Sequence, residues 1–529
     1  MIRGASAFDQ IKGLESCHST GAASKRQPFS DCSQIVRIGV FFDGTGQNKD
    51  HPDEIKRRSH SNIARLWSAH RRDPDQGIFR IYNSGPGTPV ELSHPRWWEY
   101  IPGSEKAGLA FGLGGDARLE QAEKEFRTDL TFVPRIRHIE LSVFGFSRGA
   151  ALARGFVNRI LGQCHKVGGE FLLDGKHPVV FKFLGIFDTV ASFGLPATNL
   201  DSGDVRLEIP DCVGRVRHFV AAHELRFSFP VDTIRAKGRY PSGDRVERVY
   251  PGVHSDVGGG YGPQAQGRAF DLAKIICNDM LIECWHAGLP FMTKQQIAEK
   301  AFLLDMFDYP ESSYKLYGDY LRSVNAQGSV EAQLFLHSLA YYRYRGRSAQ
   351  TPDQNEPAYQ AMNAQAANAR QQYSEVGRTG RRDRLRGATA QLASAEGQVS
   401  DYQDGDRDIA YEARKLGARR ERSEAGMFNR AMMAIGSAGI GGVPSVTAAE
   451  LNTPLSQDEA HMLDAWQEGA RGKLEPSVQR FFEAFVHDSK AHFLPEPTGY
   501  FRRRGVYQSM YVPPEQRVQP APVKKKRAA

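Results

Sequence analysis

Cysteine is scarce and never clustered. The six residues Cys17, Cys32, Cys164, Cys212, Cys277 and Cys284 contain no C-x-x-C pair, which excludes a zinc ribbon and a thioredoxin-type redox centre. Cys277 and Cys284, the nearest two, fall in a helical pattern and read as buried thiols. Residues 1–30 lack an apolar core behind a basic start, so a Sec-type leader is not expected and export would take another route. Neither sign of charge dominates: 69 Lys plus Arg against 61 Asp plus Glu leaves +8, a mild excess that favours acidic partners such as anionic lipid or nucleic acid and by itself identifies neither; only beside the motifs around Ser147, Asp188 and His254 is it read as surface for anionic lipid, with no nucleic acid expected. No Gly-Lys-Ser or Gly-Lys-Thr follows any glycine-rich loop, which excludes a P-loop, and Gly112-x-Gly114 lacks the strand, helix and downstream acid of a dinucleotide fingerprint.

What remains is an ordinary globular composition over 529 residues, with 40% hydrophobic, 10% aromatic and 25% charged residues, enough chain for two to four domains. The mean hydropathy of −0.49 requires polar segments somewhere. Near-continuous apolar runs at 35–42, 79–82, 136–144, 179–187, 215–221 and 246–253 read as strands, and their alternation with helical segments predicts an α/β fold with a mostly parallel sheet covered by helices on both faces. Each run ends in a polar or glycine-rich loop, and in such sheets ligands bind outside the carboxyl ends of the strands. The chain divides into an N-terminal extension (1–34), a catalytic domain (35–345), a polar and small-residue insertion (346–456), a C-terminal helical segment completing the fold (457–512) and a basic tail (513–529) expected to be disordered. Within the insertion, 350–426 is rich in Ala, Gln and Arg and is expected to be helical. The window 431–449 has no charge, but its glycines and Pro444 argue against a stable membrane span and for membrane contact or close packing.

Gly145-x-Ser147-x-Gly149 joins an apolar strand to a small-residue helix, the context that a nucleophile elbow requires. A serine nucleophile needs a base and an orienting carboxylate, in chain order Ser, then acid, then His, each after a strand. Asp188 and His254 occupy those positions, although a strand-end aspartate is ordinarily a turn or cap residue. The N–H of Arg148 is the first expected oxyanion donor, and the loop carrying Gly44 and Thr45 is the expected source of the second. His487, in what reads as a helical stretch, and Asp256, read as a brace for the Gly258–Gly260 turn, are weaker rivals for base and acid. His218 and His223 read as core or rim residues. A serine triad requires neither metal nor cofactor.

Five ordered motifs, F-F-D-G-T-G-Q-N (41–48), G-F-S-R-G-A (145–150), F-D-T-V (187–190), A-A-H-E-L-R-F-S-F-P (221–230) and H-S-D-V-G-G-G-Y (254–261), together resemble the catalytic domain of the first family of type VI secretion lipase effectors. F-V-H-D-S-K-A (485–491) and G-Y-F-R-R-R (499–504) are similar to sequence in such effectors too. The resemblance implies an α/β-hydrolase core, phospholipase A activity on membrane glycerophospholipids and a triad of Ser147, Asp188 and His254. It further implies delivery by the type VI apparatus into a rival's periplasm, a cognate immunity protein, and carriage on a spike protein or chaperone. A membrane-anchoring module is also implied, for which 346–456 is the candidate. The chain departs from the pattern in A-A-H-E-L-R, where leucine and aspartate are expected before the glutamate. A serine esterase acting on a soluble acyl ester and a non-catalytic membrane-disrupting protein are the alternatives at this point.

Overall fold

Side chains in the apolar runs alternate between two faces, and the computed structural model has both faces covered. It describes residues 33–51, 55, 58–86, 88, 115–191, 206–350, 357–379, 382–424, 453–490 and 499–509. The strands are β1 (Gln34–Phe42), β2 (Ile78–Asn83), β3 (Ile136–Phe146), β4 (Cys164–Val167), β5 (Glu170–Leu173), β6 (His177–Phe187), β7 (Arg215–Ala221), β8 (Val231–Ala236), β9 (Asp244–Tyr250) and β10 (Val506–Ser509). The helices are α1 (Asn62–Ala69), α2 (Gly115–Thr131), α3 (Arg148–Gly162), α4 (His254–Gly258), α5 (Asp271–His286), α6 (Lys294–Ala298), α7 (Ala301–Phe307), α8 (Glu311–Val324), α9 (Val330–Ser348), α10 (Pro357–Thr379), α11 (Arg382–Glu424), α12 (Gln457–Ala470) and α13 (Pro476–Phe485).

Six strands run parallel in the order β2-β1-β3-β6-β7-β9, and the antiparallel hairpin β4–β5 lies beside the start of β6. Register aligns their carboxyl ends: Phe42 faces Asn83 on one side and Gly145 on the other, Gly145 faces Ile186, and Phe187 faces Phe219. The chain leaves β1 toward β2 and afterwards builds outward on the other flank, so a topological switch point falls between β1 and β3, where a crevice forms. Val36, Ile38, Val40 and Phe42 join Leu141, Val143, Leu184 and Ile186 under α2 and α3. Phe41, Phe144, Phe183 and Phe187 face the opposite way, against α1 and α5 and an aromatic layer that includes Tyr320, Tyr342, Phe481 and Phe482.

The strand expected over 246–253 stops at Tyr250, because Gly252 takes φ 118° and turns the chain toward His254. Four further strands go beyond those expected: β4, β5 and β10 span only four residues each, and β8 (V-D-T-I-R-A) has no near-continuous apolar run. The polar stretch expected to be helical holds α10 and α11; Ile409, Ala413 and Leu416 of α11 are buried in one cluster with Trp466 of α12. Among the described residues no helix is long and apolar enough to cross a membrane. The window 431–449 and the tail 513–529 lie outside the described residues.

Candidate active site

The turn between β3 and α3 works only with glycines on either side of the serine. A Cβ on Gly145 would sit 2.4 Å from the carbonyl oxygen of Gly149, and one on Gly149 would sit 2.3 Å from that of Asp43. The turn is therefore pressed against the end of β1. Ser147 caps α3 with φ 58° and ψ −127°, a region non-glycine residues avoid at a cost of about 1–3 kcal/mol. Its N–H donates to the Phe187 carbonyl (3.0 Å), and its own carbonyl accepts from Val190 N–H (3.3 Å). These two bonds straddle Asp188, which also has positive φ, 42°.

Strand ends β3 and β6 thus bring Ser147 and Asp188 together, and the turn after β9 delivers His254. Its Nδ1 lies 2.5 Å from Asp188 Oδ2. All three residues are buried, with exposures of 2% for Ser147, 0% for Asp188 and 4% for His254. The imidazole packs at 4.6 Å on the ring of Phe146, the residue before the serine, and at 5.0 Å on Phe229. Gly44 and Gly258 make the slot for Phe146: a Cβ would meet that ring at 2.5 Å and 1.9 Å respectively. His254 Nε2 is buried with no hydrogen-bond partner, an arrangement that costs free energy unless the nitrogen is kept for a reacting group.

The charges decide the tautomer. Burial alone would raise the Asp188 carboxyl, but the Arg504 charge and the His254 hydrogen bond outweigh it and hold the group well below the usual carboxylate range. An ionised Asp188 can only accept, so His254 Nδ1 carries the proton and Nε2 is the free base. Burial lowers the His254 pKa, with the Asp188 hydrogen bond opposing. Glu224 fixes the backbone: its Oε2 accepts from His254 N–H at 3.2 Å, and its Oε1 accepts from Ser489 Oγ–H at 2.9 Å. Burial would raise Glu224 too, yet Arg226 brings it down to about 2.

Gly44 and Thr45 lie at the end of β1 as expected, but the Gly44 N–H donates to Asp43 Oδ1 at 2.7 Å. Asp43, fully buried, also accepts at Oδ2 from Ser61 Oγ–H (2.8 Å) and Tyr82 O–H (2.6 Å), tying the loop to α1 and β2. Burial pushes its carboxyl up to about 6, with those three donors opposing. A carboxyl raised in the folded state stabilises fully below its ordinary value of 3.8, and that contribution is lost as pH rises through about 6. Asp43→Asn should therefore gain stability relative to the parent between pH 5 and pH 8, by about 1–3 kcal/mol in urea unfolding; a constant difference across that range would contradict this.

The rivals have other work. His487 stands just beyond the end of α13, not within a helix, because the backbone turns extended at Val486 (ψ 111°). Its Nδ1 lies 2.6 Å from Asp256 Oδ1, and its ring stacks on Tyr261 at 3.9 Å. Asp256 Oδ2 in turn accepts from Val253 N–H, so this aspartate braces the turn that presents His254 instead of orienting the imidazole. His218 accepts from Thr189 N–H and contacts Glu247 in the core, and His223 accepts from Gly252 N–H and meets Tyr320. Sequence reasoning gave no role to Arg504, Glu224 or Phe146. All three lie in motifs with a visible pattern, but the residues whose contacts matter here, Asp188 for Arg504 and His254 for Glu224 and Phe146, are distant from them in sequence.

Among the described residues no cluster of three or more His, Cys, Asp or Glu is arranged to hold a metal ion. Residues 36–168 and 170–283 match the catalytic domain of the type VI secretion phospholipase effectors described as Tle1-like. A crystal structure of an uncharacterized protein from Pseudomonas aeruginosa is 20% identical over 90% of this chain and 80% of its own, with a TM-score of 0.61, a likeness of fold. The Tle1 effector bound to the VgrG spike of the type VI secretion system is also 20% identical, over 58% of this chain and 84% of that one, with a TM-score of 0.35. No curated protein matches the sequence. The elbow, the Asp188 loop and the His254 turn all fall inside the matched span, so the candidate site lies in the part of the chain that is similar to the catalytic domain of the Tle1-like phospholipase effectors of type VI secretion.

Proposed function

We propose that this chain is an antibacterial effector that cleaves acyl esters of membrane glycerophospholipids, a phospholipase A, using Ser147, His254 and Asp188 on an α/β-hydrolase core. The observation that carries the reading is the buried His254 imidazole, bonded at Nδ1 to Asp188 and unpartnered at Nε2, packed on the residue next to a serine in a strained turn. Nε2 takes the Ser147 proton as Oγ attacks the acyl carbonyl. The tetrahedral oxyanion is held by the N–H of Arg148, in the first turn of α3 where backbone donors have no intrahelical acceptor, and by that of Thr45. Because the Gly44 N–H is taken by Asp43, the β1 loop contributes through Thr45, with Gly44 seating Phe146. The imidazolium returns its proton to the departing glycerol oxygen, leaving acyl-Ser147 and a lysophospholipid. Water, deprotonated by Nε2, then releases the fatty acid.

Delivery by a type VI spike protein or chaperone, action at the membrane of the target cell's periplasm, and neutralisation by an immunity protein in the producer belong to the same reading, supported by the family match. Segment 346–456 is assigned membrane contact within it. The test compares fatty-acid release from phospholipid vesicles with release from a water-soluble acyl ester, for the parent and Ser147→Ala. Release from vesicles that Ser147→Ala abolishes supports the reading. Activity confined to the soluble ester would make the protein a general esterase, and vesicle damage that survives Ser147→Ala would make it a non-catalytic membrane disruptor.

A further inference from the structure

Asp188 does not serve His254 alone. Arg504, which lies just ahead of β10 and outside the family-matched span, places Nη1 2.7 Å from Asp188 Oδ1 and Nη2 2.7 Å from Asp188 Oδ2, a two-pronged ion pair. The same guanidinium donates to the carbonyls of Ala221 (2.7 Å) and Phe229 (3.0 Å), one at the end of β7 and the other on the residue whose ring packs on His254. Ala221 N–H adds a further donor to Asp188 Oδ1. The arginine is held in turn by the strand that follows it: β10 pairs with β8 from Val506 opposite Val231. Both Arg504 and Asp188 are buried, with side-chain exposures of 3% and 0%.

We propose that Arg504 is a positioning residue of the hydrolytic site, its fork fixing the Asp188 carboxylate for His254 and its charge standing permanently behind that pair. The inference rests on the triad reading and deepens it. Arg504 and His254 bind the same oxygen, so guanidinium and imidazole are no more than two hydrogen-bond lengths apart. An aspartate on its own favours the imidazolium; a cation sharing that aspartate disfavours it. Among the described residues the other charges facing His254 are Glu224 and Arg226, which pair with each other at 2.9 Å and act on it in opposite directions. Arg504 thus keeps Nε2 unprotonated, and able to act as a base, at mildly acidic pH. It also makes the C-terminal segment part of the catalytic centre, because a chain ending with the family-matched span would leave Asp188 without its main counter-ion.

The test is the rate at which a fluorophosphonate phosphonylates Ser147, with loss of fluoride, measured against pH on the full chain. Arg504→Met should move the acidic limb up by about one pH unit, read as a roughly tenfold slower reaction below the midpoint. Arg504→Lys keeps the charge but not the fork, so it should leave the limb in place and slow the reaction about tenfold at every pH. A limb that stays put in a folded Arg504→Met protein overturns the charge role, and parental rates in Arg504→Lys overturn the fork. If Arg504→Met does not fold, Arg504→Lys alone decides: an unmoved limb with a lowered rate supports the inference, and a parental profile defeats it. Failure of the triad reading looks different, as no labelling of the parent or labelling that persists in Ser147→Ala.

Discussion

Alanine at His254 is expected to reduce phospholipid hydrolysis by about 10⁴–10⁶-fold, as is alanine at Ser147, with the double variant no worse than either single one. The non-additivity follows from the proposed mechanism: without Nε2 there is nothing to take the Oγ proton, and without Oγ the base has nothing to activate. What makes the prediction discriminating is His487. It has the same side chain, comparable burial, and a carboxylate at Nδ1 at 2.6 Å, against 2.5 Å for His254. Its Nε2 is likewise buried and unpartnered. By composition the two dyads are equivalent. They differ in their neighbours, since the His254 ring lies on Phe146 beside Ser147 whereas the His487 ring lies on Tyr261. His487→Ala should therefore keep hydrolysis within about tenfold while losing about 2–4 kcal/mol of stability, because Asp256 is left as a buried carboxylate without its ring partner. Steady-state release of fatty acid together with chemical unfolding separates the two effects. Loss of catalysis in His487→Ala at parental stability would transfer the role of base to the second dyad.

Why the sequence pointed to Ser147, Asp188 and His254 yet passed over Arg504 is a matter of range. An apolar strand, a glycine-flanked serine and an alanine-rich helix are adjacent in the chain, and parallel register then places every strand-end loop at one edge without further information. Asp188 and His254 needed only that rule and their chain order. Arg504 reaches Asp188 from 316 residues away, and His487 reaches Asp256 from 231. No periodicity records such pairings, and three consecutive arginines at 502–504 read as surface until one of them is seen buried. The Gly44 N–H was legible only in part: a glycine loop after β1 announces itself, but that its N–H is spent on the neighbouring Asp43 side chain depends on Ser61 and Tyr82 holding that carboxylate in place. The polar helices α10 and α11 followed from residue propensity, while the packing of Ile409, Ala413 and Leu416 against α12 did not, because their i, i+4, i+7 stripe covers only about two turns of a 43-residue polar helix.

Two glycines of α3 should respond to the same substitution with opposite sign. Alanine is the better helix former by about 1 kcal/mol in a helix interior, and at Gly162, where an added Cβ meets nothing within 4 Å, Gly162→Ala should be neutral or stabilising by a few tenths of a kcal/mol to about 1 kcal/mol. At Gly149 the Cβ would fall 2.3 Å from the Asp43 carbonyl oxygen and 2.4 Å from that of Phe42. Neither obstacle can rotate away. Both are backbone atoms at the end of β1, which is pinned between β2 and β3 along its length. Relief would have to come from lifting the start of α3 off the sheet, which would pull Ser147 from its bonds to Phe187 and Val190 and shift the Arg148 N–H, the proposed oxyanion donor, with it. Gly149→Ala is accordingly expected to lose about 3 kcal/mol or more of stability, at the upper end of overpacking, and the protein that still folds should lose hydrolysis by about 10²-fold or more, as a displacement of about 1 Å at a reacting group does. Thermal unfolding and fluorophosphonate labelling of the two variants side by side provide the check. A Gly149→Ala protein as stable and as reactive as Gly162→Ala would mean that the turn is not pressed against β1, and the account of why the serine is flanked by glycines would fall with it.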